Sequence, residues 1–423
     1  MAKKNTDKIY SLSGIDSFML ALEKHHKSNK TSSNICRYVI DLDGVLSPTR
    51  LESELNENEI VMWLCKLYVS EFLTKKKWER HNNALISVNE FDETKEYISD
   101  AILANPIDKS IAPLLRFDIQ KLKESKSRLI MSWHHLLMDG HGAVLLLKSL
   151  GNILGDLSSE GYDTIQDKKS LKKALKAKFF LSSTSKGAIS DGFDINKEKG
   201  NSKLEIINFS EKDCTSIKEN ALSCGAIYGP STFFLSCVSI TMKNLLARRG
   251  RKKVNFWLPV PNDRRKKGAN SPILGNHLSF LFYRIHHQSM VDLKSLVKSL
   301  NEQMIHQIKA EMPSSYDSLM YFIKKTPSNL YYHWIKGPKG KSLSSFLFTV
   351  AAKHPESLKE LFGLKITNAI SLPPNTYPPG ITFAFNTFEQ QQHLAILYYD
   401  NIFNSEEIKV LISSIKTLLI EKN

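Results

Sequence analysis

Residues Ser127 to Leu150 read SRLIMSWHHLLMDGHGAVLLLKSL. An apolar run from Leu129 to Trp133 has strand character, two adjacent histidines follow it, and an Asp-Gly pair precedes an apolar run of helix character. A titratable imidazole is thereby delivered at a strand end. Imidazole ionises near neutrality, so the pattern suits taking a proton from an alcohol or amine and returning it at pH 7. Neighbours in an extended chain point to opposite faces, so only one of His134 and His135 can be the base. Asp139 falls where a tight turn is expected, and its carboxylate can bond nearby backbone or a cation and fix the loop. Gly140 is expected to take a backbone angle that other residues avoid.

His134, His135, Asp139 and Gly140 fit the pattern HHxxxDG. With a strand before it and a helix after it, the stretch resembles the chloramphenicol-acetyltransferase-like superfamily, which includes condensation domains, plant-type acyltransferases and bacterial wax ester synthase/diacylglycerol acyltransferases. The bland reading of the same residues is a pair of core or loop histidines beside an ordinary Asp-Gly turn.

At 423 residues, with 42% hydrophobic and 24% charged, the chain has room for two or three domains and a large core. Neither a signal peptide nor a run of eighteen apolar residues is evident, so no membrane span is expected. Five scattered cysteines without metal-ligand spacing suit a reducing compartment, and the cytoplasm is the expected location. A net charge of +15 calls for an anionic partner: coenzyme A phosphates, an acidic acyl carrier protein or an anionic membrane face. No zinc finger, RNA-recognition signature or helix-turn-helix reader is visible, so nucleic acid is not expected as a partner.

Along the chain, Leu12 to Glu23 reads as a capped helix, and Ile35 to Leu55 as strand, Asp43-Gly44 turn and a helix opened by Ser47-Pro48. This opening resembles the start of wax ester synthase-like proteins. Ile60 to Leu73 reads as one apolar helix with Lys75 to Lys77 as its solvated end, and Ile111 to Gln120 as a strand paired with the one before the histidines. Here Pro113, Leu114 and Leu115 replace the tryptophan-bearing signature of many wax ester synthases, which is closer to condensation domains. Gly155 to Asn201 reads as a linker containing KKSLKKALKAKFFL, Lys168 to Leu181, with Leu171, Leu175 and Phe179 on one face among six lysines. Such a helix either lies on an anionic membrane or packs its leucine stripe on the fold.

In the second half, Lys203 begins a strand and a helix ends near Ser223; a long helix capped by Ser231 and Gly250 follows. Strands at Val254 to Pro261 and Leu274 to Ile285 flank a basic turn, and the passage resembles the family's "PVxxR … GNxxS" with Gly275, Asn276 and Ser279 in place. Asp292 to Lys325 reads as helical. Ile366 to Ala369 resembles the VTNVPG element, and a last strand pair ends on Asp400 before a terminal helix. His286-His287 and His25-His26 lack the Asp-Gly partner, GPKGKS from Gly337 lacks phosphate-loop spacing, and no metal is assigned.

The resemblance implies an α/β fold of two chloramphenicol-acetyltransferase-like subdomains with mixed sheets flanked by helices, meeting in a V with a central tunnel. The corresponding division is residues 1–180, a linker at 181–202, and 203–423. It also implies an acyltransferase moving an acyl group from a CoA thioester to a hydroxyl acceptor, lipid or long-chain alcohol included, with His135 as general base. His134, Asp139 and Gly140 support the loop, Asp139 through an arginine the sequence does not name. Asn276 and Ser279 are candidates for tunnel lining or structural roles. No permanently bound cofactor is expected, since acyl-CoA or an acyl-carrier thioester is substrate. The alternatives are a carrier-protein-dependent condensation enzyme forming an ester or amide, and a non-catalytic member of the fold.

Overall fold

Ser13 and Asp16 open the first helix by capping each other, Ser13 N donating to Asp16 Oδ2 at 2.8 Å and Asp16 N to Ser13 Oγ at 3.1 Å. The computed structural model describes residues 11–28, 34–72, 74–92, 98–154, 170–188, 200–265, 274–335 and 344–421. The first part of the chain runs α1 (Gly14–Ser28), β1 (Ile35–Asp43), α2 (Pro48–Glu57), α3 (Glu59–Cys65), β2 (Leu67–Phe72), β3 (Lys75–Arg80), β4 (Val88–Phe91), α4 (Asp100–Ala104), β5 (Leu115–Lys121), β6 (Ser127–His134) and α5 (Gly140–Leu150). Then follow α6 (Leu171–Ser185), β7 (Ser202–Asn208), α7 (Glu211–Ser223), α8 (Ser231–Arg248), β8 (Phe256–Asp263) and β9 (Leu278–Ile285). The chain continues through α9 (Leu293–Lys309), α10 (Met312–Ile323), α11 (Ser328–Ile335), β10 (Leu347–Val350), β11 (Glu360–Leu361), β12 (Leu364–Leu372), β13 (Ile381–Phe388), β14 (Gln391–Tyr399) and α12 (Ser405–Ile420).

One sheet has the order β11-β12-β1-β6-β5-β4, and a second the order β10-β13-β14-β7; each mixes parallel and antiparallel pairs. In the first, β1 lies antiparallel to β6 with Cys36 opposite Trp133 and Ile35 opposite His134, which holds the histidine end of β6 against the start of β1. The other neighbour of β1 is β12, so a strand from late in the chain completes the early sheet. One core forms around β1, β6 and α5 and takes in Leu274, Phe280 and Tyr316; another forms around β13, β14 and α8, where Phe234 stacks on Phe385 with ring centroids 4.1 Å apart. Ring stacking of this kind adds to the area that α8 buries on its sheet.

The strands and helices flanking the histidines form as the sequence predicts, and four expectations are corrected. Ile60 to Leu73 is not one helix: α3 ends at Cys65 and β2 follows, its Leu67 and Val69 facing the core in alternation. Lys75 to Lys77 is not a solvated helix end but the start of β3, held by pairing with β2 and by the buried Trp78, which outweigh the low strand propensity of the lysines. Ser231 is the first helical residue of α8 rather than its cap, the cap position being Pro230 without a side-chain bond. The stretch from Asp292 is broken at Glu311, whose positive φ of 52° separates α9 from α10. The linker expected at 181–202 begins inside α6; its residues 189–199, and GPKGKS, lie outside the described residues.

Candidate active site

The turn from β6 into α5 is tied down from four directions. Trp133 Nε1 donates to the Met138 carbonyl at 2.9 Å, closing the loop on itself. His134 is fully buried; its Nδ1 accepts from Leu136 N at 3.2 Å, which puts the ring proton on Nε2, 3.3 Å from Oε2 of Glu23 on α1. The same Glu23 oxygen accepts from Asn34 N at 3.1 Å, and the Asn34 carbonyl accepts from His135 N at 2.8 Å. Glu23 thus fixes both the entry to β1 and the exit from β6.

Asp139 caps α5 by accepting from Gly142 N at 2.8 Å, as the turn chemistry predicts. Its carboxylate also accepts two bonds from Arg265, Nη1 to Oδ2 at 2.9 Å and Nη2 to Oδ1 at 3.1 Å, and one from His277 N at 2.8 Å. Burial alone would raise the Asp139 pKa, but the Arg265 charge and these hydrogen bonds overcome it and hold the carboxyl below its ordinary value. Arg265 is the arginine that the sequence leaves unnamed. Its neighbour Arg264 turns instead to Asp317 at 3.0 Å.

Asn276 spans from the second half of the chain to the histidine loop, its Nδ2 lying 2.8 Å from the His135 carbonyl, 3.0 Å from that of Leu136 and 3.2 Å from Asp16 Oδ1. Ser279 is buried on β9 and donates to the Pro313 carbonyl at 2.9 Å. Neither is among the residues lining the cavity; Asn276 is a strut beneath the loop and Ser279 a bond between β9 and α10. Gly140 has neither a positive φ nor a neighbour that a Cβ would meet, so the expectation of a special backbone angle there is corrected. Gly142 is the glycine the packing requires, because a Cβ on it would run into the Leu274 carbonyl.

His135 lines a cavity of about 340 Å³ bounded by residues of both halves. Phe18, Met19 and Leu22 of α1 form one apolar wall, and Leu278 and Phe280 of β9 another, with Phe18 and Phe280 edge to face at 5.3 Å. Burial pushes the His135 imidazole below its usual pKa; its own carbonyl and the Asp139 charge pull the other way without overcoming that. His135 Nδ1 is buried with no hydrogen-bond partner among the described residues. His141, directly after the Asp-Gly pair, also reaches the cavity, with Nδ1 3.5 Å from Asp263 Oδ2. Its pKa is lowered by burial and then by the Arg265 charge. Sequence reading passed over His141 despite its place in the quoted stretch, and it had no local signal for Glu23.

Among the described residues, no group of three or more histidine, cysteine, aspartate or glutamate side chains is placed to hold a metal ion. The arrangement offers a half-buried imidazole on the wall of an apolar chamber, with the loop carrying it immobilised by charge-assisted hydrogen bonds.

No protein-family model matches the chain. A stretch of 116 residues is 30% identical to Gramicidin S synthase 2 of Brevibacillus brevis, and 30% identical over the same length to that of Aneurinibacillus migulanus. The match takes in 26% of this chain and 3% of each of those proteins, so the chain spans a small fraction of the curated relatives it matches. Similar solved structures include the trichothecene 15-O-acetyltransferase from Fusarium sporotrichioides, with TM-score 0.73 and 12% identity over 98% of this chain and 95% of that one. The first condensation domain of the CDA synthetase is similar at TM-score 0.70 and 12% identity, over 99% and 98% of the two chains. A variant of the starter condensation domain of rhizomide synthetase in complex with C8-CoA is similar at TM-score 0.64 and 16% identity, over 98% and 96%. The chain has the two-subdomain chloramphenicol-acetyltransferase-like fold shared by condensation domains and acyltransferases.

Proposed function

We propose that the protein is an acyltransferase that moves an acyl group from a CoA thioester to a hydroxyl acceptor, with His135 as general base. The observation that carries this reading is His135 on the wall of an apolar cavity between the halves, on a loop held by Arg265, Asn276 and Glu23. With Nδ1 buried, Nε2 is the atom that takes the acceptor's proton as its oxygen attacks the thioester carbonyl. The C–S bond then breaks, the new ester forms, and the same proton goes to the leaving thiolate. No covalent enzyme intermediate is needed; holding donor and acceptor together supplies much of the rate. His134, Asp139, Glu23 and Arg265 position the base. In this reading residues 1–180 and 203–423 supply the two sides of the chamber, and the apolar walls favour a lipid-like or long-chain alcohol acceptor. In the same reading the protein works in the cytoplasm, at the face of an anionic membrane.

A carrier-protein donor, with an ester or amide as product, is the second reading, supported by the condensation-domain neighbours and the gramicidin synthase match. The test is mass spectrometry of products after incubation with acyl-CoAs and acyl-carrier proteins, each with alcohols and amines. Ester formed from acyl-CoA with release of free CoA supports the first reading, product only from carrier-bound donors the second. No product from any pair overturns both and leaves a non-catalytic member of the fold.

A further inference from the structure

Helix α6 packs Phe180 and Leu181 on the core and presents a second set of apolar side chains to solvent. Leu171, Leu175 and Phe179 are 61%, 46% and 70% exposed, while the face turned to the protein carries Ala174 and Ala177. At 100° per residue the three form a stripe about 80° wide and, at 1.5 Å rise, about 12 Å long. On the same helical wheel Lys178 borders one edge of the stripe and Lys172 the other. Both lysines are exposed and make no hydrogen bond or ion pair among the described residues. Two other lysines are held to the fold instead: Lys173 Nζ lies 3.1 Å from Glu311 Oε2 and 3.3 Å from Ser314 Oγ, and Lys176 Nζ lies 2.7 Å from the Ala310 carbonyl. The helix is therefore anchored along one side with its apolar stripe facing out, and among the described residues the stripe does not pack onto the fold, which was one of the two sequence readings.

We infer that this face of α6 is the site at which the protein docks on an anionic lipid bilayer. The reading extends the membrane contact already proposed by naming the surface that makes it. An apolar stripe of leucine and phenylalanine flanked by lysines is the pattern of a helix lying in the plane of a membrane interface. The exposed ammonium groups of Lys172 and Lys178 meet lipid phosphates, and the chain's net charge of +15 adds long-range attraction of the same sign. A protein partner fits less well, since the cores of protein interfaces are depleted in lysine and bury about 800 Å² per side, far more than three side chains offer. The inner side of α6 meets the chamber wall through a row of rings: Phe180 packs on Tyr316 at 6.3 Å, Tyr316 on Phe282 at 4.8 Å, and Phe282 on the cavity-lining Phe280 at 5.9 Å. Docking would bring the bilayer close to the chamber proposed to hold an apolar acceptor.

The test is co-sedimentation of the full chain with phosphatidylcholine vesicles and with vesicles that also contain phosphatidylglycerol. Binding is expected to the anionic vesicles alone and to weaken with added salt. It should fall by more than about tenfold in the Leu171→Ser, Leu175→Ser, Phe179→Ser triple variant. In the Lys172→Glu, Lys178→Glu variant the loss should be on the order of a hundredfold. All five positions are exposed, so circular dichroism and melting temperature should not change in either variant. Failure of the wild-type chain to sediment with anionic vesicles, equal binding to neutral ones, or unchanged binding in the serine variant would overturn the inference. Activity on soluble short-chain substrates is read separately, so the docking face and the transferase assignment stand or fall independently.

Discussion

Arg265 grips Asp139 with two parallel hydrogen bonds of 2.9 and 3.1 Å, joining the end of β8 to the first turn of α5 across 126 residues of sequence. Both side chains are buried, so the loss of either leaves an uncompensated charge. Arg265→Ala and Asp139→Asn should each cost about 3 to 5 kcal/mol of stability, measured by denaturant unfolding, with activity falling in step. Arg265→Lys should recover little, because an ammonium group cannot reproduce the two-pronged bond. An unchanged unfolding midpoint in Asp139→Asn would contradict the strut.

The two glycines of the turn should behave differently. Gly142→Ala pushes α5 off Leu274 and should lower stability by about 1 to 3 kcal/mol. Gly140→Ala meets nothing in the protein and should leave the melting temperature alone, while its methyl group, on a residue that lines the cavity, should raise the substrate KM. Equal destabilisation by both would remove the distinction.

The early part of the site was legible because its signals are local. Strand, histidines, turn and helix fall within Ser127 to Leu150, and each local preference agrees with the final fold. Arg265 was not nameable, since Arg264 and Arg265 are alike in sequence and only the path of β8 sends one to Asp317 and the other to Asp139. Glu23 lies 111 residues before His134, and a glutamate on an amphipathic helix ordinarily faces water. The β2–β3 hairpin was hidden by the run of apolar residues through α3 and by the lysines of β3, whose strand state comes from pairing rather than propensity.

Glu23 is expected to act on the rate through His135. Glu23→Ala leaves the His134 Nε2–H and the Asn34 N–H without their acceptor, at a cost of about 1 to 3 kcal/mol per donor. In the folded fraction kcat should drop more than KM rises, and Glu23→Gln, which keeps an acceptor oxygen, should restore most of it. A purely structural residue would lower stability and leave kcat of the folded fraction untouched.

Ionisation of the site should be felt on the acid side of neutrality. His135 lies below the usual value near 6.5 because burial disfavours the imidazolium, so the neutral base is present at pH 7. The profile of kcat/KM should rise through one ionisation below about 6.5 and then stay level. Both His135 and Asp139 have folded-state values below their unfolded ones, so each favours the folded state above its unfolded pKa. That contribution is lost as pH falls through the folded value. A pH–rate profile with its acid limb centred above pH 7 would contradict the placement of His135.

The central assignment is the base itself, and the direct measurement is turnover of the folded His135→Ala protein with a thioester donor and an alcohol acceptor that the wild-type chain joins. His135 is half-buried at the cavity wall, so circular dichroism should show a folded variant. Its rate should fall by roughly 10²- to 10⁴-fold, with donor binding retained. A folded His135→Ala protein that keeps most of the wild-type rate would contradict the account.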